Sequence, residues 1–399
     1  MKPLALIFPL GTIALLIAAS DTPAPSSHHK MTLSNGVYTE GASFGDVNGD
    51  GKIDLLAGPL WHEGPTFEKS HRYRKGEAVP AAGYAHNSFQ SWVFDANGDG
   101  RADIFQMAHD GVFHLELYLQ PVAASEEWPR HRVAASIGNE SPEMTDLTGD
   151  GKLELVAMQG GRFGFFRPQP EDAEKPWTFH PISPSRTQSP YYHGLGFGDL
   201  NGDNRVDLLE KEGWYEAPEN PLAPGDWKFH PYHFSETGGA QMLVFDIDGD
   251  GDNDVVTSLA AHAWGLAWFE NKITDGKVTL EKHVLLPEEN KPGIGGIQFT
   301  QAHALALGDF NGDGLTDFVT GKRYWAHNGS DPGSSEPAVL CLFEQQRTKG
   351  TVEFIPRLID SDSGVGTQLA VADLNGDGIT DLGIGNKKGV FIFQSRKAN

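Results

Sequence analysis

Seven times this chain returns to one nine-residue pattern of oxygen-bearing side chains, and that recurrence limits the folds open to it. The first copy lies in GDVNGDGKID, with Asp46, Asn48, Asp50 and Asp54 at alternate positions. The others carry Asp95, Asn97, Asp99 and Asp103; Asp146, Thr148, Asp150 and Glu154; and Asp199, Asn201, Asp203 and Asp207. They continue with Asp246, Asp248, Asp250 and Asp254; Asp309, Asn311, Asp313 and Asp317; and Asp373, Asn375, Asp377 and Asp381. Calcium takes six to eight oxygens at roughly 2.3–2.6 Å from carboxylates, amides and backbone carbonyls. A loop wound around one ion presents alternate side chains inward, and a backbone carbonyl serves at position seven. The glycines supply the backbone angles of a tight loop. A single copy reads equally well as an acidic hairpin turn. Seven copies on one template do not.

The first aspartates stand at 46, 95, 146, 199, 246, 309 and 373, a repeat of roughly fifty to sixty residues. Each loop is flanked by short apolar runs, such as LVFD before and DVVTS after, which predicts a β-hairpin. A third and a fourth run follow in most units (GLAWFEN, then EKHVLL). Four strands per unit predict an all-β, seven-bladed β-propeller with one calcium hairpin per blade. In the fourth loop Asn204 replaces glycine and is expected to be left-handed. Asp248 gives the fifth loop an extra charge, and Thr148 and Glu154 depart from the template in the third.

These hairpins resemble the FG-GAP or VCBS repeats, known from the calcium-bearing propeller of integrin α chains and from secreted bacterial proteins. An EF-hand needs a carboxylate at loop position twelve, which here is Ala57. The seventh unit ends after three strands, at GVFIFQSRKAN. The fourth strands carry a recurrent histidine (His71, His131, His180, His230, His283), and SHHKMTL near the N-terminus has the same look, with His29 in place. Residues 28–33 are therefore expected to complete the last blade and close the ring. The recurrent histidines are expected to be exposed or to pack on sheet edges.

Residues 1–20 read as a secretory signal peptide, with one lysine, an apolar run, and Ala18 and Ser20 at cleavage-like spacing. Residues 21–27 read as a linker and 28–399 as the propeller. Export to the periplasm or beyond the cell follows, with no membrane span. The one cysteine, Cys341, sits in an apolar strand and is expected in the core. An exported chain without disulfides needs another staple, which up to seven calcium ions would supply. The net charge of −23 argues against nucleic acid as a partner, and much of it belongs to the loops.

The face opposite the calcium hairpins is where chemistry is expected. Six residues before each first aspartate stand Glu40, Phe89, Glu140, His193, Ala240, His303 and Thr367, which should ring the channel mouth. Loops after the second strands bring WHEG, MAHDG (His109), EKEGWYEAP, AAHAWG (His262) and GKRYWAHNG (Arg323, Tyr324, His327). Unlike the hairpins, these loops do not resemble one another. His193, His262, His303 and His327, with Arg323 and Tyr324, form the candidate catalytic set. Each histidine taken singly also reads as a hydrogen-bonded structural residue. Together they could hold a second divalent metal or work as acids and bases near neutral pH. Tyr191, Tyr192, Trp214, Trp264 and Trp325 are candidate sugar platforms, while Trp268 reads as blade packing.

GWYEAP, SLAAHAWGLAWFEN and QAHALALGDFNGDGLTDFVTGKRYWAHNG look similar to the propeller domain of aldos-2-ulose dehydratases. That resemblance implies a lyase that removes water from keto-sugars, with one histidine as base. A metal, or Arg323 with Tyr324, would stabilise the enolate. The cupin domains of the fungal enzyme have no counterpart here, which removes the expectation of isomerase activity. The rival expectation is a non-catalytic adhesion or glycan-binding propeller. Expected partners are a carbohydrate or keto-sugar, with a protein partner left open and the chain a monomer.

Overall fold

The computed structural model describes residues 27–80, 82–169, 172–186, 191–348 and 351–397. The expected signal peptide and most of the expected linker lie outside these residues. Ser27, assigned to the linker, instead begins a strand.

The fold is all-β and fits a β-propeller. Among the described residues the strands pair into seven four-stranded antiparallel units. The first runs Ser43–Gly45, Asp54–Ala57, Leu60–His62 and Ser70–Arg72. The second and third share the long strand Arg130–Thr145, outermost in one and innermost in the other. The fourth and fifth touch through a short parallel pairing of Leu195 with Gln241 and Gly196 with Met242. The seventh holds Leu369–Ala372, Asp381–Asn386 and Gly389–Arg396, and its fourth strand is the N-terminal Ser27–Ser34. Ser27 pairs with Arg396 and Lys30 with Phe393, so the two chain ends are joined by a ladder.

The hairpins form because the first aspartate gathers the loop backbone. Asp46 accepts hydrogen bonds from the amides of Gly49 (2.7 Å), Asp50 (3.1 Å) and Gly51 (2.8 Å). Gly49 and Gly51 take φ of 77° and 79°, which a β-carbon would strain. Asn204, at the glycine position of the fourth loop, sits at φ 64°.

Apolar residues facing out of each unit meet those of its neighbour. One cluster joins Leu56, Trp61 and Tyr73 of the first unit to Ile104, Tyr118 and Trp128 of the second. Another joins Val256 and Trp268 of the fifth to Phe318, Phe343 and the fully buried Cys341 of the sixth. A further one joins Leu55 and Ala57 of the first unit to Val390 and Ile392 of the seventh. The core is thus a series of layers between units. The aspartate hairpins cap one end of the innermost strands, and the segments entering those strands gather at the other.

Candidate functional site

The residues entering the inner strands converge with the loops that leave the second strands. His193 precedes the strand Leu195–Gly198 by one residue, and Glu140 lies within the shared strand Arg130–Thr145. Arg323 follows the strand Asp317–Gly321. The loop behind it is held in an unusual shape, with φ of 58° at Trp325, 47° at His327 and 54° at Asn328. Left-handed backbone outside glycine costs energy and collects at sites of function. Fixed partners hold the loop there. The buried Lys322 ammonium donates to the Gly333 carbonyl, Gln301 Nε2 to Pro332 O (3.2 Å), and the His327 amide to the Tyr84 hydroxyl (2.8 Å).

At the centre, ligand atoms of Glu140, His193, His262 and His303 all lie within 4.8 Å of one another. His193 Nε2 is 3.4 Å from Glu140 Oε2 and 3.2 Å from His262 Nε2. His303 Nε2 is 3.8 Å from the same carboxylate. The buried Arg323 guanidinium reaches His303 Nε2 at 2.9 Å, Glu140 at 3.2 Å and Glu40 at 3.8 Å. Asp331 binds His262 Nδ1 and His327 Nδ1, each at 2.9 Å.

These contacts fix where lone pairs point. A carboxylate only accepts, so neutral His262 places its proton on Nδ1 toward Asp331 and leaves Nε2 as a lone pair. A guanidinium only donates, so His303 Nε2 is also an acceptor. Burial, with the Arg323 charge adding to it, pulls His262 down to about 4 and His303 well below the usual histidine range. Both are neutral at pH 7. Burial pushes the Glu140 carboxyl up, but the His193 hydrogen bond and the Arg323 charge outweigh it and hold it at about 2. The His262 Nε2 lone pair and a Glu140 carboxylate oxygen therefore face one small volume, while the His303 Nε2 lone pair accepts the Arg323 N–H.

Three of these residues, Glu140, His193 and His262, line a cavity of about 450 Å3 together with Arg323, His327, Tyr84, His86, Phe89, His109 and Tyr191. His109 Nε2 lies 3.0 Å from the Tyr191 hydroxyl. A volume of this size falls in the range of about 300–1,000 Å3 typical of small-molecule sites.

Of the catalytic set, His193, His262, His303, His327 and Arg323 are brought together. Tyr324 is not among the lining residues; its ring faces the Lys388 ammonium at 4.8 Å. Trp214 and Tyr192 are buried and offer no sugar platform. Trp61, His62, Trp214 and Tyr215 belong to third strands, not to upper loops. Asp331, Tyr84 and His86 escaped the sequence reading. Asp331 carried a faint signal, standing four residues beyond His327 in the same loop.

The recurrent fourth-strand histidines pack at sheet edges. His71, His230 and His283 stack on Trp61, Trp214 and Trp268 at 4.0–4.4 Å and reach Glu63, Glu216 and Glu270 at 2.7–2.9 Å.

In the aspartate hairpins, position nine has structural partners in every unit. Asp54 accepts from the amides of Val47 (2.9 Å) and Gly64 (2.8 Å), and Asp317 from Phe310 (3.1 Å) and Gln345 (2.8 Å). Asp103, Glu154, Asp207, Asp254 and Asp381 also take the amide just after the loop's first residue. In the fifth loop, oxygens of Asp246, Asp248 and Asp250 lie within 4.8 Å of one another. In the second, third and fourth loops Arg101, Arg167 and Arg205 bind the position-five carboxylates.

The stacked four-stranded units and their shared hairpin define a repeat protein of the β-propeller type. Residues 246–320 match the family model of the FG-GAP-like repeat. No curated protein matches it. Among solved structures, an Agrocybe aegerita lectin that recognises non-reducing terminal N-acetylglucosamine aligns at 13% identity and a TM-score of 0.48. That alignment covers 94% of this chain and 91% of the lectin. A Photorhabdus luminescens Tc holotoxin pore aligns at 18% identity and a TM-score of 0.40, over 78% of this chain and 14% of that one. Both are distant likenesses. Among the described residues no helix is long and apolar enough to cross a membrane.

Proposed function

We propose that the chain is an exported, seven-bladed propeller whose cavity is a metal-assisted, carbohydrate-directed lyase site of the dehydratase kind. The observation that carries this reading is the convergence of Glu140, His193, His262 and the buried His303, the first three of which line the cavity. Three imidazoles and a carboxylate suit a divalent transition metal. A metal held there would polarise a substrate carbonyl oxygen and so acidify the neighbouring C–H bond.

The chain's own groups divide the remaining work. Asp331 holds the His327 Nδ1 proton, which leaves Nε2 as a base facing the cavity. His327 takes the proton beside the carbonyl. His109, also in the cavity lining, hands a proton to the departing hydroxyl, which leaves as water while the carbon–carbon double bond forms. Arg323, fixed between Glu40 and Glu140, sets the orientation of the Glu140 carboxylate.

Calcium in the hairpins is part of the same proposal. Side chains at positions one, three, five and nine, with the position-seven carbonyl, would hold each ion. The close oxygens of Asp246, Asp248 and Asp250 support this in the fifth loop.

The second reading is a glycan-binding propeller without catalysis, favoured by the aromatic residues of the cavity lining. Metal analysis separates the two, with and without His303→Ala, alongside an ultraviolet assay for enone formation from keto-sugars. About one transition metal per chain, lost with His303 together with enone formation, is the expected result. Calcium alone in both proteins favours the binding module.

A further inference from the structure

The aromatic residues of the cavity lining have an order of their own. Tyr84 and Phe89 are stacked at 6.2 Å with 13° between their planes. Phe89 meets Phe113 edge-on at 4.9 Å, and Phe113 meets Tyr191 edge-on at 5.5 Å. The rings are fixed at their polar rims. Tyr84 accepts the His327 amide through its hydroxyl and carries the Lys387 ammonium 3.7 Å from its ring centre. Tyr191 is tied to His109 Nε2 at 3.0 Å. Its side of the pocket stays open, with 46% of the residue exposed.

A cavity lined both by aromatic rings and by imidazoles, a carboxylate and a guanidinium matches an amphipathic ring. Sugar pyranoses are such rings: one face presents C–H bonds, and the edges present hydroxyls. Tyrosine supplies a large rigid face with a polar tip at small entropic cost. An open-chain polyol has the same hydroxyls but no flat face to lay against an aromatic ring.

We propose that Tyr84, Phe89 and Tyr191 form a stacking subsite that selects a single cyclic sugar and turns its oxygens toward Glu140, His193 and His262. This deepens the carbohydrate reading above and rests on it. It narrows the substrate class to pyranose rings in place of linear keto-polyols.

The test is saturation-transfer NMR on the full chain with methyl β-D-glucopyranoside and D-sorbitol as probes. Metal content is measured on the same samples. The glucoside is expected to bind, with transfer concentrated on ring C–H protons, and sorbitol to bind about tenfold more weakly, one aromatic contact's worth. Tyr191→Ala should lose about the same factor, whereas Tyr191→Phe keeps the face and the affinity. Equal signals from the two probes, or undiminished binding by Tyr191→Ala, overturn the proposal. A glucoside signal in protein that takes up no transition metal supports the ring subsite and removes the metal reading alone. Metal uptake without any glucoside signal overturns the subsite and leaves the metal standing.

Discussion

At the scale of single residues, the inner strands carry an acid with a measurable consequence. Glu143, three residues beyond Glu140, is pushed by burial from an ordinary 4.5 up to about 7, although Trp92 and Gln241 beside it pull the other way. An acid whose native pKa lies above its unfolded value holds its proton more tightly when folded. The native state therefore loses stability as pH rises from about 4.5 to about 7, and the loss is complete above that window. Glu143→Gln is expected to flatten this part of the profile, read as denaturant midpoints at pH 4.5 and 7.5. An unchanged difference between wild type and variant across that window would refute it. The cavity residues were readable one by one because each unit repeats. Counting six residues back from each first aspartate picked out Phe89, Glu140, His193 and His303. The same count could not tell that Glu140 would sit among the histidines while Ala240 and Thr367 stay buried.

At the scale of elements, position nine is a strut within its own unit. Asp317 ties the loop amide of Phe310 to the third-strand amide of Gln345. Asp317→Ala leaves two buried amides without acceptors, at about 1–3 kcal/mol each. Asp313→Ala, at exposed position five, removes a ligand of the proposed calcium and frees only the exposed backbone amide of Leu315. In the presence of chelator, Asp317→Ala is expected to melt well below wild type and Asp313→Ala close to it. In calcium both should fall. Equal melting of the two variants under both conditions would sink the distinction. The hairpins were legible because an Asp-Gly turn is a local event. The strut was missed because its partner in the sixth unit lies 28 residues away, and nothing in a nine-residue template reports it. Likewise the fourth-strand histidines were visible as a recurrence, but their stacking on Trp61, Trp214 and Trp268 needed the strand register.

At the scale of the whole molecule, adjacent units share apolar layers, and the first is joined to the seventh by Ser27–Ser34 and by the cluster of Leu55, Val390 and Ile392. The N-terminal strand among the described residues is thereby paired and does not stand as a free edge. The acidic hairpins strain it from one face, since carboxylates at short range repel. Under the calcium proposal, a chelator should lower the melting temperature by several degrees, the size expected of a few kcal/mol. Calcium should restore it and magnesium should not, given the smaller ion's demand for octahedral geometry. A melting curve indifferent to chelator would remove calcium as a staple while leaving the cavity untouched, since hairpins and cavity lie at opposite ends of the inner strands.

What the sequence settled by itself was periodic: seven hairpins, all-β units, the pairing of the chain's ends and the face on which unlike loops collect. These follow from short-range turn chemistry and from alternation along strands, which each segment expresses alone. What the tertiary structure decided was convergence. Glu140, His193, His262, His303 and Arg323 come from four different units, and the turn at Trp325 sends His327 inward while Tyr324 turns to Lys388. Their meeting depends on how the units pack around a common centre, a property of the assembled body that no local stretch of chain encodes.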